Sequence, residues 1–184
     1  MPDNAELDSL KSSMPSARGL FGLGVLAWSS MLGVDFFVHA GLLARLYAQP
    51  SAFLLSPEDA FRLIPLGYLS FLLVSALILW LMRRLEIGTW QRGLSSGLLI
   101  GGLMWGALAI GLLSISTASP ALMFGWFAGQ TVELGVAGAV VGSGLGGTPV
   151  RKLLARVTAL ILVLAVVTIT LQSIGWSPAI RIGE

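Results

Sequence analysis

Five long apolar stretches, at residues 19–43, 64–82, 94–115, 121–145 and 153–174, decide what this chain can fold into. Each is long enough to cross the ~30 Å hydrocarbon layer of a bilayer as a helix, which takes about 20 residues. In that medium the backbone N–H and C=O groups must be satisfied inside the segment or around a closed barrel. The stretches lack the period-two alternation of barrel strands, and their lengths fit helices. The sequence therefore predicts an all-α polytopic membrane protein, a single bundle of five transmembrane helices. Composition agrees: 55% of the 184 residues are hydrophobic, 11% are charged and the mean hydropathy is +0.87. A soluble domain carries roughly 25% charged residues to keep its surface wet.

The breaks between the stretches carry helix-start signals. Ser56-Pro57-Glu58-Asp59 places a capping hydroxyl, a proline at the first helical position and two acids in the first turn. A helix starting there is expected to run along the interface until Pro65 bends it inward. Ser119-Pro120 and Thr148-Pro149 repeat the cap-then-proline signal before the fourth and fifth spans. Arg156 lies just inside the fifth, where an arginine reaches back to the interface.

Residues 1–18 read as a retained polar tail, residues 19–176 as the transmembrane domain and residues 177–184 as a short tail on the other side. With five spans, Lys11, Arg18, Arg83, Arg84, Arg92, Arg151, Lys152 and Arg156 share one side of the membrane. Arg45, Arg62 and Arg181 fall on the other. Positive residues stay inside, so the expected protein is multi-pass in a bacterial-type inner membrane, N-terminus cytoplasmic and C-terminus periplasmic.

Several functions are excluded or disfavoured. No cysteine is present, which removes disulfides, thiol catalysis and Cys-ligated zinc or iron–sulfur clusters. The net charge of +2 comes without a basic patch, so nucleic acid is not an expected partner. The one histidine lies within a span and no nucleophile elbow accompanies it, which argues against a hydrolase. No inverted repeat points to a transporter of large solutes.

Two features remain that could carry function. The first is spaced glycine: Gly93, Gly97 and Gly101 with Gly102 and Gly106 beside them, and Gly125, Gly129, Gly138, Gly142 and Gly146 on the next span. Small residues four apart let helix backbones approach closely in lipid. The plain reading is contact between the third and fourth spans of the same chain; the sharper one is a surface for a partner or a flat ligand.

The second is polar. Asp35 and His39 stand one turn apart on one helix face, and Leu43 and Tyr47 continue the row with a drift of about 40° per step. Glu133, with Gln130 a turn before it, is the most deeply placed carboxylate. Ionisable groups within a span cost about 3 kcal/mol or more each and face protein or water. If the first and fourth spans touch, Asp35, His39, Gln130 and Glu133 form one cluster. It would bind a metal or a pigment such as a chlorin at His39, or pass protons; a hydrogen-bonded packing network is the bland alternative. Trp80, Trp90, Trp176, Tyr47 and Tyr68 fit an interfacial aromatic belt, and Trp28, Trp105 and Trp126 read as core fillers or lipid contacts.

The Asp35, His39, Leu43, Tyr47 row, with Pro120, Gly125-Trp126-Phe127-x-Gly129, Gly138 and Gly142, resembles a group of small uncharacterised bacterial membrane proteins of four or five helices. The resemblance covers about half the chain and implies a bundle of this topology but no activity. The expected partners are the lipid bilayer and other integral membrane subunits. The expected role is a non-catalytic accessory subunit of a larger complex, photosynthetic or respiratory, with the polar site as the alternative.

Overall fold

The structure is a computed structural model that describes residues 16–49 and 51–178. The polar residues Asp3, Glu6, Asp8 and Lys11, and Arg181 at the other end, lie outside the described residues. Helices account for every regular element among the described residues: α1 (Ala17–Phe37) continued by a π-helical turn (Val38–Leu42), α2 (Ala44–Tyr47), α3 (Pro57–Arg62), α4 (Ile64–Arg84), α5 (Trp90–Ile115), α6 (Pro120–Leu145) and α7 (Val150–Ser173). Among the described residues four helices are long and apolar enough to cross a membrane: Ala17–Leu42, Ile64–Arg84, Trp90–Ile115 and Val150–Ser173.

α6 has the length, at 26 residues, but not the hydropathy of the other four. The reason is its composition: six glycines together with Gln130 and Glu133. Its buried residues, from Leu122 to Gly144, cover most of its circumference, while Phe124 and Val132 stay exposed. A helix buried over most of its surface can carry small and polar residues that a mainly lipid-facing helix cannot.

Local chemistry explains most boundaries. Ser16, Ser56, Thr89 and Ser119 each accept a hydrogen bond from a backbone N–H of the turn they precede. The Thr89 cap starts α5 at Trp90, four residues before the apolar stretch begins. The expectation for Thr148 is corrected: Pro149 holds the capping position of α7 and no side chain caps it. α3 ends at Arg62 with Leu63 as its cap, and Pro65 sits in the first turn of α4, as its fixed φ suits.

α6 is the hub. It packs most extensively on α5 and also touches α1, α4 and α7, while α1 packs on α4 and α7 as well. The central core joins Ala27 and Met31 of α1, Phe71, Ile78 and Met82 of α4, Ile87, and Leu134, Ala137 and Val141 of α6. A second cluster, Leu23, Leu26, Leu153 and Val157, ties α1 to α7.

Glycine sets the closest contacts. A Cβ on Gly97 would overlap the Leu134 carbonyl oxygen and stand 2.8 Å from its carbon, and one on Gly93 would overlap the Gly138 carbonyl. Gly101 faces Thr131 in the same way, so the row from Gly93 to Gly101 is used within the chain. Two expectations about glycine change. Gly125 and Gly129 face Leu43 and Val38 of the α1 extension, not α5. A Cβ on Gly106 would meet only the Phe127 ring, and one on Gly102 would meet nothing within 4 Å.

Candidate polar site

The polar side chains gather where the π-helical turn of α1 crosses α6. A π turn holds an extra residue, and here Leu43 N–H reaches back five residues to Val38 C=O at 2.8 Å. Along a straight α-helix Tyr47 would stand about 80° off the row of His39. The wider turn advances each residue by a smaller angle and returns Tyr47 towards that row, so that its hydroxyl lies 2.5 Å from His39 Nδ1. The turn can seat against α6 because Gly129 opposes Val38: a Cβ there would come within 2.7 Å of Val38 Cγ1. The same approach brings His39 to the level of Gln130 and Glu133.

His39 Nε2 lies 3.3 Å from Asp35 Oδ1 and 3.9 Å from Glu133 Oε1. Gln130 Nε2 donates to Glu133 Oε1 at 3.1 Å. Glu133 has no solvent exposure and Gln130 is 5% exposed, yet Glu133 Oε2 and Gln130 Oε1 are buried without a hydrogen-bond partner. Buried polar atoms in folded proteins are paired with few exceptions, and each exception asks for a cause. Asp35 and His39 are about a fifth exposed, so the site opens on the α1 side. The Asp35, His39 and Glu133 donor atoms all lie within 4.8 Å of one another, as in a metal-ligand set.

No lysine or arginine pairs with either carboxylate among the described residues. Arg45, the nearest arginine in sequence, is turned away: its Nε donates to the Trp176 carbonyl at 2.6 Å and an Nη to the Gly175 carbonyl at 3.2 Å.

Two participants were not singled out as site residues from the sequence. From the sequence Tyr47 reads as part of the aromatic belt and Trp126 as a core filler or lipid contact. Trp126 Nε1–H donates to the Tyr47 hydroxyl, making a chain Trp126–Tyr47–His39. Burial, and the carboxyls nearby, push the Tyr47 phenol well above its ordinary value, so it keeps its proton. The sequence signal for Tyr47 was its place in the row of Asp35 and His39. Trp126 had none, because nothing local says which way a helix-six side chain points. Above this chain Phe53 packs edge-on against Trp126, and Ala118, Leu122 and Met123 close that end with Leu46 and Leu54.

The arrangement bears on what the site can hold. Both His39 ring nitrogens are engaged, Nδ1 by Tyr47 and Nε2 by the two carboxyls, so neither faces open space where a chlorin ring could lie. A small cation suits the site better: two carboxyl side chains converge with no basic residue to pair with them.

The remaining predicted positions serve packing. Gly138 and Gly142 lie against Gly93, and Gly138 also against the Met82 methyl. Comparison with protein-family models, with curated proteins and with solved structures finds no match to this chain, so its function has to be argued from its own residues.

Proposed function

We propose that this chain is a five-span inner-membrane protein whose working part is an intramembrane cation-binding site made by Asp35, His39 and Glu133, with Gln130 beside them. α6 is the fifth span, with most of its surface against the other helices. The N-terminus is cytoplasmic, which the eight-to-three split of positive residues favours. A reporter fused after Glu184 is then active on the periplasmic side, and a cytoplasmic signal there removes one span.

One observation carries the reading: the carboxyl of Glu133, wholly buried in the hub helix, stands beside Asp35 and His39 with one oxygen unpaired. A group placed for packing is hydrogen-bonded on all its polar atoms, whereas a group placed for a ligand is left incomplete and costs stability. The test replaces Gln130 and Glu133 together by leucine. The cation reading expects a folded protein with an unchanged or higher melting temperature in detergent, up to about 4 °C higher for each 1 kcal/mol of relieved desolvation. A fall of several degrees returns the four residues to a packing network.

The accessory-subunit reading keeps one support. Gly102 and Gly111 of α5 have open space where a neighbour's side chain could fit. Crosslinking in native membranes separates it from a protein that acts alone.

A further inference from the structure

The geometry points to a divalent first-row transition metal ion as the cation, held by Asp35 Oδ1, His39 Nε2 and Glu133 Oε1. This rests on the cation reading above and narrows it to one class of ion.

The donor set selects the class. Imidazole nitrogen suits zinc, copper, iron and nickel, while calcium and magnesium prefer oxygen alone. One neutral imidazole with two carboxylates balances a charge of +2, so a divalent ion leaves a neutral site inside the bilayer, where an uncompensated charge is expensive.

Two of the three donor spacings are close to those of ligands around one small ion, and all three donors lie within 4.8 Å of one another. Metal–ligand bonds of about 2.1 Å in a tetrahedron separate the donors by about 3.4 Å. The pair His39 Nε2–Asp35 Oδ1 stands at 3.3 Å, and His39 Nε2–Glu133 Oε1 at 3.9 Å. Closing on an ion draws the Glu133 oxygen inward by about half an ångström. The second, unpaired oxygen of Glu133 is available as a further donor. Three protein ligands leave coordination positions free on the partly exposed side of Asp35 and His39.

The surroundings are those of a held ligand. A metal-bound histidine donates its other ring N–H to a fixed acceptor, which sets tautomer and ring orientation. Here that acceptor is the Tyr47 oxygen, itself fixed by the Trp126 indole N–H; an oxygen with two lone pairs takes both. Gln130 plays the same part for Glu133 by donating to Oε1. Tyr47, Trp126 and Gln130 are positioning residues.

The experiment uses the full chain, purified in mild detergent with an affinity tag free of histidine and stripped with chelator. Titration with Zn2+ alone is expected to show one ion per chain by calorimetry, undisturbed by excess Mg2+ or Ca2+. Bound Mn2+ is expected to show coupling to an imidazole nitrogen in pulsed EPR. The chain has one histidine and no cysteine, so that signal assigns to His39 without a variant. His39→Ala removes the nitrogen coupling, and Tyr47→Phe weakens Zn2+ binding about 10-fold or more while the nitrogen stays bound. Absence of stoichiometric Zn2+ binding in the wild type overturns the metal assignment. So does binding without nitrogen coupling. If the Gln130/Glu133 leucine variant is as stable as the wild type in that case, the cation reading survives with another ion; if it is destabilised, both fail.

Discussion

Gly97→Leu is expected to unseat α5 from α6 and leave little folded protein. A Cβ at this position overlaps the Leu134 carbonyl oxygen, and the Gly135 Cα is 3.0 Å away. Both obstacles are backbone, so no rotamer change relieves them, and the helices must move apart. That separation costs contact along the whole seam, because Gly93 and Gly101 share it, facing Gly138 and Thr131. α5 packs on α6 far more than on any other helix, so nothing else holds it in place. In membranes, association rests on this close packing, since lipid solvates apolar side chains as well as a neighbouring helix does. The expected loss exceeds the 1–3 kcal/mol of ordinary overpacking and reaches about 4 kcal/mol or more. Gly102→Leu is the control. Its side chain enters open space, and its effect is expected to stay within about 0.5 kcal/mol. Thermal unfolding of both variants in the same detergent decides: equal stability would mean that the α5–α6 seam is not as described.

The contrast between those two glycines shows what was legible in the sequence. Helix lengths were legible, because apolar runs and capping residues are local: Ser56, Ser119 and Pro65 act at the positions they occupy. Asp35 and His39 share a face by spacing alone. Which glycine row meets which helix was not legible, because helix rotation is set by contacts between distant segments. Gly125 and Gly129 were grouped with the α5 interface by their four-residue spacing, yet they seat α1. α6 reads from the sequence as one more apolar stretch, but its glycines, Gln130 and Glu133 keep its hydropathy below that of the other four long helices, and it carries the most buried residues of any helix described. The roles of Tyr47 and Trp126 were hidden for a specific reason. They depend on a π-helical turn of five residues, and no residue in Val38–Leu42 announces it.

That turn is held open from the far end of the chain, and cutting its support is expected to loosen the site without melting the bundle. In a π turn the carbonyls are not all taken up along the helix. Gln172 Nε2 donates to the Ala40 carbonyl at 3.1 Å, and the Ser177 hydroxyl donates to the Gly41 carbonyl. Ser177 reaches it because Gly175, with φ of +74°, ends α7 in the left-handed conformation and turns the chain back. Arg45 locks the return with two hydrogen bonds and by lying over the Trp176 ring at 5.2 Å. Gln172→Ala with Ser177→Ala removes a side-chain donor from each of two carbonyls, one of them facing a residue that is only 2% exposed. At about 1–3 kcal/mol for each buried carbonyl the pair costs about 2–6 kcal/mol, so it is expected to lower the melting temperature by roughly 4–24 °C at about 2–4 °C per kcal/mol. The loss should be local. Hydrogen exchange is expected to quicken at residues 38–47 while the middle of α1 and α6 keeps its protection, as for a unit that opens below the global free energy. The ring of His39 then has a less fixed seat, and any ligand bound through it is held more weakly. Uniformly faster exchange along the whole of α1 would instead mean that the α7 end braces the bundle as a body and has no particular hold on the turn that carries His39.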